Sequence, residues 1–303
     1  LLGVTILIFV AMRILPGDPL QAMLGESGTY RFSEEELRAA RASLGLDKPY
    51  HVQYLDWMES VLRGELGKSF WKNEPIRDIV LRRAPVTIQI ALEAVILSWL
   101  IGLPVGLIGA VWRGSTKDYL SRLLTILFMA IPSFWLGLMM ILALVLVFTW
   151  RPPLGIIYPW ENFAANLQMT TGPALALGIG LAATMSRISR SSILESLGED
   201  YVRTARSKGL KERVVLGRHV LPNSMLPILT VSGVSLGHLL GGSVAVERAF
   251  AVPGLGMALI TAISERDWMV IQNLVLLYGA IFVLVNLVVD ISYGLFDPRI
   301  RYR

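Results

Sequence analysis

The 303-residue chain has no cysteine and only three histidines. Without cysteine there can be no disulfide, no thiolate nucleophile and no cysteine-ligated zinc or iron–sulfur site. His51, His219 and His238 lie far apart in the chain, which argues against a histidine-rich metal site. Charged residues make up 17% of the chain, against about 25% in an ordinary soluble domain. These absences exclude a soluble globular fold and most metal and thiol chemistry.

The chain is rich in long apolar segments. Hydrophobic residues make up 54% of the chain, and its mean hydropathy is +0.57. Five stretches reach the length of about 20 residues with which a helix crosses a bilayer: 93–113, 123–150, 162–186, 220–246 and 268–289. Residues 1–12 are apolar but shorter, and we interpret them as a first helix whose beginning precedes residue 1. The sequence therefore predicts an all-α integral membrane protein with six transmembrane helices, as one domain over 1–303.

The distribution of basic residues predicts the orientation in the membrane. Segments 112–118, 187–222 and the tail after 296 contain 13 lysines and arginines, whereas the two short loops on the other side contain three. Because basic residues accumulate in cytoplasmic loops, we expect both termini in the cytoplasm and residues 16–84 outside. Topology also accounts for the isoelectric point near 9.6, so no nucleic-acid partner is expected.

The outer segment 16–84 has helical patterning of its own. Ser33 and Glu36 form a capping-box pattern that opens a helix, and Gly45 is placed to close it. A second helix is expected from Pro49 to Gly64. A third amphipathic stretch leads into the second span, whose helix is expected to begin near Pro85. The segment is either a helical cap on the membrane or, as we favour, a docking surface or lid.

The tripeptide Gly67-Lys68-Ser69 is similar to the end of a phosphate-binding loop. That loop requires a glycine five residues before Gly67, where this chain has Leu62. No strand is predicted before it, and the topology places it outside the cell. We therefore expect this chain to bind no nucleotide, cofactor or metal ion.

Several features interrupt the apolar spans. Pro132 is expected to kink the third span, and the spacing of Gly102 and Gly106 favours close helix packing. Polar side chains at membrane depth are candidates either for a transport pathway or for hydrogen bonds between helices: Gln89, Glu93, His238, Asn286 and Asp290. No grouping of serine, histidine and carboxylate resembles a catalytic site, so an enzyme is the weakest class.

The cytoplasmic loop 195–222 carries a short amphipathic helix. Glu199 and Asp200 suit its N-terminus, and Gly209 is placed to end it with a positive φ angle. Tyr201, Val202 and Ala205 form an apolar strip, and a second short helix is expected from Leu210 to Val220. An exposed apolar and basic face suits a groove on a cytosolic protein. Alternatively, the basic residues serve topology or bind anionic lipid.

The loop sequence resembles that of the binding-protein-dependent ABC importer permeases. The family signature is E-A-A, three residues, Gly, nine residues and I-x-L-P; here Arg203-Thr204-Ala205 precedes Gly209, and His219-Val220-Leu221-Pro222 follows. The Arg-Thr-Ala form is similar to the dipeptide, oligopeptide, glutathione and nickel branch. Further motifs, in order, are Leu15–Pro19, Leu44–Pro49, Gly64–Gly67, Gly241–Glu247, Pro253–Gly256, Asn286–Asp290 and Asp297–Arg301. Together they resemble the B-type permease of a peptide importer.

The resemblance implies a type I importer fold in a prokaryotic inner membrane. It implies a heterodimer with a second permease, two cytosolic ATPases that bind ATP and Mg²⁺, and an extracytoplasmic solute-binding protein. It also implies a coupling helix that docks on an ATPase, over Glu199, Asp200, Tyr201, Val202, Arg203, Thr204, Ala205, Arg206, Lys208, Gly209 and Leu210. The alternative function is a gated solute or ion channel, which would need no ATPase.

Overall fold

The structure is a computed structural model that describes residues 1–14, 45, 47–151, 153 and 155–296. Three features discussed above lie outside these residues: the helix opened by Ser33, the Leu15–Pro19 motif and the Asp297–Arg301 motif. The described chain is folded into helices, and two of the connections between them, 63–75 and 149–162, are longer than ten residues. The α-helices, in chain order, are α1 Leu2–Ile14, α2 Tyr50–Leu62, α3 Ile76–Val111, α4 Thr116–Ala130, α5 Ser133–Phe148, α6 Phe163–Gly198, α7 Asp200–Ser207, α8 Glu212–Val214, α9 Leu221–Gly242, α10 Val244–Ala249, α11 Leu255–Glu265 and α12 Trp268–Phe296.

The chain divides into two compact units, and α3 and α12 each continue from one into the other. The first unit contains Leu1–Pro85 and Pro253–Ile281. Its core packs α1, α2, the start of α3, α11 and the first half of α12 around Phe9 and Trp57. The rings of these two residues stack with centroids 6.2 Å apart. The apolar side of α2 is therefore covered by its own unit.

The outer-segment predictions are partly confirmed. The helix expected between Pro49 and Gly64 is present as α2, and Gly64 has a φ of +79°. Gly45 also has a positive φ, of +64°. The expected helix start near Pro85 is wrong, because α3 begins at Ile76 and runs through Pro85 without a break. Ile76 and Ile79 are buried there, so the amphipathic stretch is the first part of the span itself.

The second unit contains Val86–Val252 and the chain from Phe282 onward. In it α3 and α6 pack closely at the two glycines noted above. A β carbon on Gly102 would lie 2.6 Å from the carbonyl oxygen of Ala182, and one on Gly106 would collide with Ser189. The close packing predicted from this spacing is confirmed.

The third apolar stretch is broken in two. Helices α4 and α5 meet at Ile131 and Pro132 with their axes bent by 96°. Pro132 has no backbone N–H to continue the helix, and its preceding residue adopts the extended conformation that proline favours. The predicted kink is confirmed, but the single span expected over 123–150 is replaced by two helices.

Three helices in the described chain are long and apolar enough to span a membrane: Ile76–Val111, Glu212–Gly241 and Trp268–Val289. The bent α4–α5 pair meets the same criterion only when both helices are taken together. Helix α1 is shorter than a span, and the 36-residue α6 has a serine-rich half that lowers its hydropathy. The count of six transmembrane helices remains a prediction.

Candidate functional site

The loop between α6 and α9 begins with the short helix α7, which ends as the sequence predicts. Gly209 has a φ of +76°. Its N–H donates to the carbonyl of Arg206, and the N–H of Leu210 donates to the carbonyl of Ala205. This pair of hydrogen bonds is a Schellman motif, which satisfies two carbonyls that the helix end would leave without partners. The chain therefore turns away from α7 at a fixed point.

The apolar strip of α7 does not face outward as expected. Val202 is 0% exposed and Ala205 is 5% exposed, whereas Tyr201 is 39% exposed. Val202 and Ala205 pack in a cluster with Ala110 at the end of α3 and Ile193 near the end of α6. Helical spacing identifies residues that share a face, but it does not distinguish the chain's own core from a partner. Two of the eleven residues assigned to docking are thus part of this chain's interior.

The outward face of α7 is polar and carries charges of both signs. Exposed side chains include Glu199 before the helix, Asp200, Arg203, Thr204, Arg206 and Lys208. Arg206 donates to both carboxylate oxygens of Glu212, over 3.2 and 2.6 Å, across the turn at Gly209. This hydrogen bond and the charge of Glu212 raise the pKa of the Arg206 guanidinium. The two sides of the turn are therefore held together by an ion pair as well as by backbone hydrogen bonds.

The second short helix expected after Gly209 is not separate from the fifth span. Helix α8 leads into a π-helical turn, Val215–Val220, which continues directly into α9. Pro222 follows this turn and cannot donate to the carbonyl of Arg218, which removes one α-helical hydrogen bond where the wider turn occurs. The chain is therefore continuously helical from Glu212 to the end of α9.

Serine hydroxyls join α6 to α9 next to this turn. The hydroxyl of Ser224 donates to the carbonyl of Val220 over 2.9 Å, and its oxygen also lies 2.9 Å from the hydroxyl oxygen of Ser196. Ser192 donates to the carbonyl of Ser224 over 3.1 Å. Ser192, Ser196 and Ser224 are all buried. These serines hold α6 to α9, and the core around Val202 packs α7 against the ends of α3, α6 and α9.

Gln89 and Glu93 lie in a hydrogen-bonded cluster between α3 and α6. Gln89 donates to Asn166 over 2.6 Å and to Glu93 over 2.7 Å. Asn166 donates back to Gln89 over 3.1 Å, and Thr170 donates to Glu93 over 2.9 Å. Asn166 and Thr170 are 1% and 0% exposed. Of the two roles left open by the sequence, the geometry matches hydrogen bonding between helices.

The other three polar candidates are not part of this cluster. The ring of His238 contacts that of Phe282 edge-on, with centroids 5.6 Å apart. His238 is exposed and Asn286 is half-buried, and neither side chain forms a hydrogen bond with the part of the chain that the structure describes. Asp290 lies on α12, but its side chain is outside the described residues.

A buried ion pair between α4 and α6 was missed by the sequence reasoning. Asp118 is 1% exposed and accepts from Arg190 through two hydrogen bonds of 2.9 and 3.0 Å. It also accepts from the backbone N–H of Gly114 over 2.9 Å. The charge distribution places both residues in predicted cytoplasmic segments, and no spacing rule pairs residues 72 positions apart. Asn166 and Thr170 could have been found, because they are four apart and thus match the spacing of Gln89 and Glu93.

The Gly67-Lys68-Ser69 turn has a local structural role. The hydroxyl of Ser69 donates to Asp267 over 2.6 Å, and the N–H of Phe70 donates to the same carboxylate over 3.0 Å. The backbone N–H of Ser69 donates to the carbonyl of Glu74. These contacts join the turn to the start of α12 within the first unit.

Two family models cover most of the chain. Residues 102–302 match the family described as "Binding-protein-dependent transport system inner membrane component". Residues 1–91 match "Binding-prot-dependent transport system membrane comp, N-term". The first match alone covers more than half of the chain. The two matched ranges together contain all the sequence motifs that carry the resemblance.

Curated relatives match along the full length. The chain is 38% identical to the di/tripeptide transport system permease protein DppB of Pseudomonas aeruginosa, with 99% of this chain and 95% of the relative covered. It is 36% identical to the glutathione transport system permease protein GsiC of Salmonella typhimurium, with 100% of this chain and 95% of the relative covered. These relatives favour an importer permease over a channel.

A solved structure shares the fold. The MetNI methionine ABC transporter in an inward-facing conformation superposes with a TM-score of 0.62 at 18% identity, covering 74% of this chain and 99% of that chain. The expected all-α importer-permease fold is therefore confirmed. This chain belongs to the inner-membrane components of binding-protein-dependent transport systems, as a multi-pass, non-catalytic permease subunit that works with the other subunits of an ABC importer.

Proposed function

We propose that this permease forms half of the translocation pathway for short peptides, including glutathione-like ones. The support is the similarity over the full chain to a di/tripeptide permease and to a glutathione permease. Both relatives handle short amide-linked solutes, so the shared sequence fits a pathway for that class. The other half of the pathway belongs to a second, different permease in a heterodimer.

In this proposal α7 docks in a cleft of one cytosolic ATPase. The observation that carries it is the division of α7 into a buried face, Val202 and Ala205, and a charged outer face. The buried face fixes the helix to three long helices, and the outer face presents Tyr201, Arg203 and Thr204 to a partner. ATP-driven closure of two ATPases, which bind the ATP and Mg²⁺, then moves this helix and the spans attached to it.

The proposal also assigns the orientation of the chain in the membrane and the roles of the polar residues in its spans. Both termini lie in the cytoplasm, and the solute-binding protein delivers its cargo to the first unit from outside. Gln89 and Glu93 hold α3 against α6, and His238 and Asn286 are the pathway candidates. The residues that touch solute are therefore expected on α9 and α12.

The experiment is uptake into proteoliposomes that contain the assembled complex, its solute-binding protein and ATP. Radiolabelled dialanine, trialanine and glutathione are compared with methionine and choline. We expect ATP-dependent accumulation of dialanine, trialanine and glutathione, and no accumulation of methionine or choline. Solute flux or ion current through this chain without the ATPases would contradict the proposal and favour a channel.

A further inference from the structure

A cavity of about 570 Å³ opens between α4 and α6 in the second unit. Its charged lining consists of Arg122, Arg187 and Arg190, and Ser191 follows Arg190 in the chain. Its apolar lining consists of Ile126, Met129 and Ala130, which follow Arg122 along α4. The cavity thus joins a strongly basic mouth to an apolar wall, and it contains none of the residues used in the coupling proposal.

Within the part of the chain that the structure describes, a single carboxylate, that of Asp118, pairs with arginines at this mouth. Arg190 is neutralised by Asp118, whose carboxylate it contacts through two hydrogen bonds. Arg122 is 3.4 Å from the same carboxylate, which is already engaged, and its guanidinium lies over the ring of Tyr119. Arg187 is exposed and forms no ion pair with any residue that the structure describes. No carboxylate from the described chain lines the cavity. An anion at this mouth would find two guanidinium groups with donors to spare.

Helix α4 is built with its polar side inward. Asp118, Ser121 and Thr125 are buried, and the hydroxyl of Thr125 donates to Ser186 of α6 over 3.1 Å. The opposite side exposes Leu123 and Leu127, which are 63% and 51% exposed, and Ile126 on the flank beside the cavity is 66% exposed. Leucine and isoleucine on the outer surface next to the cavity are what a membrane-facing helix presents to acyl chains.

We infer that this cavity binds an anionic phospholipid. The phosphate sits between Arg122 and Arg187, since arginine pairs well with phosphate oxygens. The acyl chains lie along Ile126 and Met129 and continue over the apolar surface of α4. The inference rests on the proposed topology, in which the arginine ends of α4 and α6 lie at the cytoplasmic membrane surface. Basic pockets between transmembrane helices at that surface suit anionic lipid head groups.

The test is native mass spectrometry of the purified full-length chain titrated with phosphatidylglycerol or with phosphatidylcholine of the same acyl chains. The double variant R122Q/R187Q is compared with the wild-type chain and with the control R113Q/K117Q. Both variants lose the same charge beside α4, but only the first loses charge from the cavity. R122K/R187K keeps the charge and serves as a rescue. Arg190 and Asp118 are untouched, and R187Q alone is measured if the double variant does not fold.

Phosphatidylglycerol is expected to bind the wild-type chain about twenty-five-fold more tightly than R122Q/R187Q, and about fivefold more tightly than R187Q. The control and the lysine variant should retain most of the affinity, and phosphatidylcholine should not distinguish the variants. Equal losses in the control would mean that diffuse surface charge attracts the lipid, which would overturn the inference. Unchanged affinity in R122Q/R187Q, or displacement of the lipid by trialanine, would overturn it too. The assay uses neither ATPase nor solute transport, so its outcome is independent of the uptake experiment.

Discussion

At the residue scale, Gly209 shows how one backbone angle fixes the direction of a chain. Its φ of +76° lies in the left-handed region, where a residue with a β carbon costs about 1 kcal/mol or more. A β carbon there would meet no atom within 4 Å, so a substitution adds backbone strain without a collision. That makes the position suitable for separating coupling from folding.

We expect Gly209→Val to reach the membrane at a near-normal level but to transport poorly. The strain favours a different path from α7 into α8, so force on α7 reaches α9 less directly. Uptake should fall, and ATP hydrolysis should stop responding to the loaded binding protein. Gly209→Asn is the control, because asparagine tolerates the left-handed region. Normal uptake and normal stimulation in the valine variant would remove the coupling role of this glycine.

A second prediction at this scale concerns Asn166. Asn166→Leu removes the amide that bonds to Gln89 and to the carbonyl of Ile157, and it leaves both without that partner. The free energy of unfolding in detergent should fall by about 1–2 kcal/mol. Gln168→Leu is the control, because Gln168 is exposed on the same helix. Equal thermal midpoints for the two variants would show that the cluster contributes nothing measurable.

Prediction from sequence succeeded where the backbone conformation depends mainly on the type of a single residue. Gly45 and Gly209 have the expected positive φ, a helix ends before Gly64 as expected, and Pro132 breaks a helix. It failed where two distant segments meet. The Asp118–Arg190 pair depends on how α4 packs on α6, which no local pattern contains.

At the element scale, α7 illustrates the limit of periodicity. The spacing of Val202 and Ala205 correctly predicts a shared face, but burial against α3 and α6 is a property of the folded unit. Likewise, hydropathy located the apolar part of α3 but not its start at Ile76, because the first turns carry charged residues on one side. The π-helical turn before α9 was not predictable, since its widening depends on several hydrogen bonds at once.

The two faces of α7 should respond differently to truncation. Val202→Ala removes buried methyl groups and should lower the unfolding free energy by about 2 kcal/mol. Tyr201→Ala removes a side chain that is 39% exposed, so the thermal midpoint should fall less than in Val202→Ala while the affinity of the permease for the ATPase falls. Calorimetry and a pull-down with the purified ATPase measure the two effects. The reverse pattern, with Tyr201→Ala destabilising and Val202→Ala harmless, would contradict the burial described here.

At the scale of the whole molecule, composition and apolar run lengths were sufficient to predict a multi-pass helical membrane protein. The ordered motifs predicted the family, which the comparisons confirm. The number of spans was less accessible, because α4 and α5 bend by 96° and α6 combines a membrane-spanning length with buried serines. A hydropathy average over a window of residues cannot detect a bend between two helices or polar side chains that are buried against a neighbouring helix.

The proposed topology predicts opposite labelling of two exposed positions. Glu59→Cys on α2 should react with a membrane-impermeant maleimide in intact cells, and Ser207→Cys at the end of α7 should react only after the membrane is opened. The chain has no natural cysteine, so each signal has one source. Labelling of both positions in intact cells would contradict the proposed topology, on which the coupling proposal depends.

The most direct test of the proposed docking of α7 on the ATPase is a photocrosslink from the outer face of α7. Thr204→Cys in the assembled complex is derivatised with a maleimide–benzophenone reagent and irradiated with and without ATP. If α7 docks on the ATPase, we expect a crosslink to that subunit whose yield changes with nucleotide, while Glu59→Cys treated in the same way should yield none. A complex that transports peptide but gives no ATPase crosslink from Thr204→Cys would contradict the docking of α7.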